Sequence, residues 1–199
     1  MKIEKNEQIL EAAQLEFLNK GFDGASMEHI ATIAEVSKRT LYKYYPTKEV
    51  LFDKIIEELF ENIELQLNYP YSKNESLQNL FDQILSIKFK LLLDDTLIRL
   101  AKIILSEQIK KKDMDKKLLE RLNSSHQPFK EWLKLCVMDR RIKANLSIDE
   151  LSDYFNALVE GLILFPLLFG FKDKFSKRDL EKKRKIIYTG FLSIIGYDY

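Results

Sequence analysis

VSKRTLYKYYPTKEVLF, residues 36–52, sets three tyrosines among basic side chains and then stops a helix with a proline. From Val36 to Lys48 stand Lys38, Arg39, Lys43 and Lys48 with no acid, although the 199-residue chain has a formal net charge of only +1. Such a patch calls for an anionic partner. Ser37 is placed to cap a helix in which Leu41 and Tyr45 share the apolar face. Lys38, Arg39, Thr40, Tyr42, Lys43 and Tyr44 spread over the remainder. Pro46 pushes Tyr45 away from helical dihedrals, and Thr47 then caps a fourth, longer helix running to about Leu67.

Upstream, Ile9, Ala13 and Phe17, with Leu10 and Leu18 alongside, make an apolar stripe on a helix over residues 6–20. Gly21 ends it with a left-handed residue, letting Phe22 fold back onto Phe17. Ser26 caps a second helix whose apolar positions are Met27, Ile30, Ile33 and Ala34. It closes before Glu35 and Val36. Two short helices joined by a three- or four-residue turn, the second polar on its outside, are the pieces of a helix-turn-helix.

In that arrangement Lys38 and Arg39 can donate to guanine O6 and N7, and Thr40 can meet a thymine methyl or a phosphate. Tyr42 and Tyr44 suit phosphate contacts, which set register. Lys48 opposes the macrodipole in the first turn of its helix, at a cost of a few tenths to about 1 kcal/mol. A phosphate at that helix start, held with Thr47, offsets the cost, and Ser26 can make a similar contact. The first 48 residues hold seven basic and seven acidic side chains, yet four of the basic ones crowd the last thirteen positions. A basic patch can also dock an acidic protein or package DNA without sequence preference; salt and sequence dependence separate these readings.

Composition supports an all-α chain: 46% hydrophobic, 32% charged, and only six glycines and four prolines. Further helical patterns run roughly over 75–93, 95–109, 113–141 with a break near Pro128, 148–169 and 176–195. The mixed-charge runs at 110–117 and 172–185 read as solvated faces. The single cysteine, Cys136, cannot form an intramolecular disulfide, and no charged-then-apolar leader opens the chain, so a cytoplasmic protein is expected. The longest apolar stretch, residues 162–171, is short for a bilayer and contains Pro166, so no membrane partner is expected. No G-x-G-x-x-G, phosphate loop or H-E-x-x-H is present, and His126 lies ten positions from Cys136 without metal-ligand spacing. Neither an enzyme, a cofactor nor a metal is expected.

GFDGASMEHIATIAEVSKRTLYKYYPTKEVLF, residues 21–52, resembles the N-terminal DNA-binding domain of the TetR family of transcriptional regulators. The likeness covers roughly residues 6–60 and is densest at Gly21-Phe22, Ser26, Ile30-Ala31, Val36-Ser37, Leu41-Tyr42, Tyr44-Tyr45 and Lys48-Glu49 with Leu51. Two positions depart from the pattern: Glu35 where glycine is frequent, and Tyr45 where phenylalanine is commoner. The resemblance implies DNA contacts from residues 37–44, with Tyr42, Tyr44 and Lys48 on phosphates. It implies a three-helix DNA-binding domain over 1–46 and a larger helical ligand-binding and dimerisation domain over 47–199. It further implies a homodimeric, ligand-released repressor on a near-palindromic double-stranded operator, with a small-molecule effector among the C-terminal helices. Residues 128–145 and 153–170 are similar to the C-terminal domains of AefR-like members. Candidate effector contacts are Phe89, His126, Phe129, Trp132, Cys136, Tyr154, Phe155 and Asn156. For the dimer, Leu158, Leu162, Phe165 and Phe169 recur at three- and four-residue steps, as do Ile187, Phe191 and Ile194.

Overall fold

The structure, a computed structural model, describes residues 2–143 and 145–195. It is 75% helical, which bears out the all-α reading. The chain divides into two compact units.

The first unit comprises Met1–Asn62 and Asp95–Asp115. Its helices are α1 (Lys2–Gly24), α2 (Met27–Ile33), α3 (Lys38–Tyr44), most of α4 (Lys48–Gln66), and α6 (Asp95–Ile109). Gly21 has φ 69° and ψ 179°, a conformation that side-chain-bearing residues rarely adopt. It kinks the chain rather than ending it, and one further turn runs to Gly24. Phe22 then stacks on Phe17 at 5.8 Å, and Phe52 closes the triplet at 5.0 and 4.9 Å. Met27, Ile30, Ala31 and Ala34 are buried, whereas Ile33, expected on the same face, is 38% exposed. A seven-residue helix has only two turns, and Ile33 falls off its buried stripe.

This unit is built from two stretches of chain, because α6 returns to pack on α1. Arg99 donates to the Leu18 carbonyl at 2.8 Å, and Lys110 pairs with Asp23 at 2.5 Å.

The second unit comprises Ile63–Asp94 and Lys116–Tyr199. It holds α5 (Leu77–Leu92), α7 (Lys116–Ser124), α8 (Gln127–Met138), α9 (Ile148–Val159), a π turn (Glu160–Leu164), α10 (Phe165–Leu168) and α11 (Lys177–Leu192). Serines 76, 147 and 176 cap α5, α9 and α11, the last two in reciprocal capping boxes with Glu150 and Asp179. The break in 113–141 falls at Ser125–His126, and Pro128 opens α8, where its missing N–H costs nothing. Rings dominate the core: Phe129 stacks on Phe155 at 4.0 Å and on Trp132 at 5.6 Å, and Phe81 and Phe191 pack edge-on to this stack. Trp132 donates its indole N–H to the Pro70 carbonyl at 3.1 Å, as a buried indole must.

The run Ile148–Leu168 is helical throughout, so Pro166 does not interrupt it, and by length and composition alone it can cross a membrane. Leu151, Phe155, Val159 and Ile163 from this run are buried in the unit's own core, the behaviour of a packed helix.

Candidate functional site

α2, a tight turn and α3 present the predicted site. The Ala34 and Val36 N–H groups bond back to the Ile30 and Ala31 carbonyls, and between them Glu35 takes φ 52°. The turn therefore needs the conformation that glycine supplies freely, at roughly 1–2 kcal/mol for a residue with a Cβ. Glu35→Gly is expected to stabilise the unit by about 1 kcal/mol, raising the thermal midpoint by roughly 2–4 °C. A lowered midpoint would show the turn unstrained.

Ser37 accepts the Thr40 N–H at 3.1 Å and shares a 2.8 Å bond with the Thr40 hydroxyl, which starts α3 at Lys38. Leu41 and Tyr45 point inward, and the Tyr45 hydroxyl donates to Asn6 at 2.8 Å, so tyrosine replaces phenylalanine with its polar tip satisfied. Ser37, Lys38, Arg39, Tyr42 and Lys43 are exposed, with Thr40 and Tyr44 half-buried beside them. Lys38 reaches Glu28 at 3.6 Å, an exposed pair worth little and easily exchanged for another anion. Thr47 accepts the Val50 N–H at 3.3 Å and opens α4.

Two features escaped sequence reasoning. Lys48 donates to the Asp23 and Ala25 carbonyls, both at 3.2 Å, and lies 4.7 Å over the Phe22 ring. Its ammonium thus has compensation inside the protein as well as any phosphate outside. Glu16, only 1% exposed, accepts from His29 Nδ1 at 2.6 Å, Lys20 at 3.0 Å and the Ser26 N–H at 3.3 Å. Burial alone would raise this carboxyl, but the bonds from His29, Lys20 and Ser26 hold it below the usual glutamate value. One carboxylate ties α1 to the start of α2, and so helps to aim the helix-turn-helix.

The model of "Bacterial regulatory proteins, tetR family" matches residues 9–55, the segment that carries this geometry. A TetR family transcriptional regulator from Pseudomonas syringae pv. tomato superposes with a TM-score of 0.78, covering 98% of each chain at 26% identity. Residues 9–55 are a DNA-binding segment of the TetR family. Among curated relatives, HTH-type transcriptional regulator YhgD of Bacillus subtilis is 36% identical over 80 residues, 37% of this chain and 42% of that protein. HTH-type transcriptional repressor NicS of Pseudomonas putida is 37% identical over 54 residues, 27% of this chain and 26% of that protein. These matches span less than half the length of the curated relatives.

In the second unit the residues expected to meet an effector separate. Phe89, Phe129, Trp132, Cys136, Phe155 and Asn156 are buried together in the second unit. Burial pushes the Cys136 thiol up to about 12, so it is an inert core group at neutral pH. His126 is partly exposed, with Nε2 3.3 Å from Glu160. Tyr154 stands apart from this group: it is 37% exposed, since it lies with Asp153 on the solvent side of α9 between the buried pairs Leu151–Ser152 and Phe155–Asn156. Sequence reasoning also missed Lys88. It is buried at 7% exposure, donates to Asn156 Oδ1 at 2.5 Å and lies 5.6 Å over Phe155. Asn156 in turn donates to the Ser152 carbonyl and hydroxyl at 3.0 and 3.2 Å.

Burial pushes the Lys88 ammonium down to about 8, against the pull of the Glu160 carboxylate. A cation whose folded value lies below its unfolded value of 10.5 destabilises the fold fully below about pH 8 and progressively less as pH rises toward 10.5. Lys88→Met is therefore expected to melt higher than the native chain at pH 7, with the gap closing by pH 10. A gap that widens with pH would show the ammonium well solvated.

The expected dimer residues also divide. Ile187 and Phe191 are 0% exposed and belong to the core, which corrects their assignment: they lie on the side of α11 facing α5 and α9. Phe165 and Phe169 are exposed, and Leu158, Leu162 and Ile194 are half-buried. Phe171 and Ile186 join the exposed apolar set. No cluster of three or more metal-ligating side chains occurs among the described residues.

Proposed function

We propose that the chain is a sequence-specific DNA-binding transcriptional regulator, a repressor released by a small-molecule effector, acting as a homodimer on a near-palindromic operator in the bacterial cytoplasm. The observation that carries this reading is the α2–turn–α3 arrangement, with Leu41 and Tyr45 anchored inside and Lys38, Arg39, Tyr42 and Lys43 outside. α3 enters the major groove with Lys38 and Arg39 on base edges and Thr40 on a thymine methyl or phosphate. Ser26, Ser37, Tyr42, Lys43, Tyr44, Thr47 and Lys48 hold the backbone on either side. The repressor name carried by one relative supports that sign of regulation. α4 supplies the coupling, since its residues to Asn62 belong to the first unit and the rest to the second. By linkage, operator DNA and effector must weaken each other's binding by one common factor.

Selection of duplexes by the purified protein tests the reading: recovery of a two-fold-symmetric site supports it, and recovery of unrelated sequences refutes it. Lys48→Met tests one contact. The slope of log affinity against log salt is expected to fall by about 2 in a dimer, at roughly 0.9 per phosphate. The fold is expected to lose about 1 kcal/mol with the carbonyl bonds. An unchanged slope would confine Lys48 to its internal role.

A further inference from the structure

The buried polar groups of the second unit are unevenly matched. Lys88 offers three N–H donors, and its one hydrogen bond among the described residues goes to Asn156. No carboxylate among them lies within ion-pair distance, since the nearby Glu160 faces His126. An interior ammonium with Glu160 as a neighbouring charge but no contact ion pair is costly, and natural interiors pair such charges directly. A second donor is unspent in the same core: the Tyr69 hydroxyl is buried with no hydrogen-bond partner among the described residues. Both groups border one aromatic pair, Lys88 over Phe155 and Tyr69 edge-on to Phe129 at 6.1 Å. Asn156 sits one turn before the π turn Glu160–Leu164, and π turns concentrate at functional sites because they let a helix change register locally.

We propose that this interior binds a planar aromatic anion, its charged group held by the Lys88 ammonium, a further acceptor by the Tyr69 hydroxyl, and its rings by Phe129 and Phe155. The inference rests on the reading of the second unit as the effector domain and gives that effector a chemical class. Donors without acceptors select an acceptor-rich ligand, and desolvation makes the charge–charge attraction stronger than at a surface. Stacked rings select a flat body. A neutral aromatic of the same shape leaves the ammonium unpaired, so the site discriminates against it.

Trp132 is the only tryptophan and stacks on Phe129, which makes its emission a built-in reporter. The test uses two probes that accept its excitation energy: anilinonaphthalene sulfonate, an aromatic anion, and N-phenylnaphthylamine, which lacks the sulfonate. The native protein is expected to bind the sulfonate at least tenfold more tightly, with quenching of Trp132. Lys88→Met is expected to weaken the sulfonate at least tenfold and to leave the amine within about threefold. The proposal is overturned if the native protein holds the amine as tightly as the sulfonate, a comparison that needs no variant. It is equally overturned if Lys88→Met folds and binds the sulfonate as the native chain does. Operator retention in saturating sulfonate would refute effector release while leaving the anion site standing.

Discussion

Phe165→Glu is expected to convert the protein into monomers and to abolish tight operator binding. Phe165 and Phe169 are 46% and 56% exposed, their rings lie 6.0 Å apart, and Phe171, 78% exposed, adds a third ring at 6.3 Å. With half-buried Leu162 and Leu158 one and two turns back, this is a continuous apolar face on the α9–α10 run. A second copy covers it in the proposed dimer, and a two-fold axis then brings each substituted position in twice. Placing a carboxylate there costs several kcal/mol per ion once it is desolvated. Because Phe165 lies outside the core, the variant is expected to keep its fold and melting temperature. Losing the tether between half-sites should weaken operator binding by about 10²–10⁴-fold. Sedimentation checks the first part: the native chain should run at twice its 23.5 kDa and the variant at 23.5 kDa. A native monomer at micromolar concentration would remove the dimer from the account.

The second large effect concerns selectivity. Lys38→Ala and Arg39→Ala should each narrow the gap between operator and scrambled duplex by about 1–3 kcal/mol per lost base contact, counted twice in a dimer. Both side chains are exposed, and only the weak Lys38–Glu28 pair is lost in the free protein. Stability should therefore change by no more than a few tenths of a kcal/mol. Binding measured on both duplexes separates this outcome from a phosphate role, which would weaken the two equally and leave their ratio intact.

Local chemistry made the first unit readable. Ser26, Ser37 and Thr47 cap the helices they precede, Gly21 takes the positive φ its position suggests, and Pro46 leaves Tyr45 extended. Each of these signals acts over three or four residues, so the sequence alone displays it. What depended on distant partners was hidden. Nothing near Asp95 says that α6 returns to α1. Lys48 shows its charge in the sequence but not the two carbonyls that receive it. Glu16 occupies an ordinary helix position and becomes legible only when His29 and Ser26 are brought to it.

The second unit was less legible because amphipathic periodicity marks an apolar face without saying what covers it. Ile187 and Phe191 share spacing with interface candidates, yet face the inside of their own unit. Nothing in the sequence around Lys88 says that this lysine is interior, and only the packing of α5 against α11 and the π turn reveals it. A buried lysine breaks the pattern that sequence reasoning relies on, which is why such positions concentrate at functional sites.

In the proposed function α3, doubled by a dimer, reads sequence. Its most direct test is the affinity of the native protein for a duplex it has selected against a scrambled duplex of equal length, at about 150 mM salt. A preference of at least about 10³-fold, abolished by inserting roughly half a helical turn between half-sites, is the predicted result. Equal affinity for the two duplexes would contradict the account.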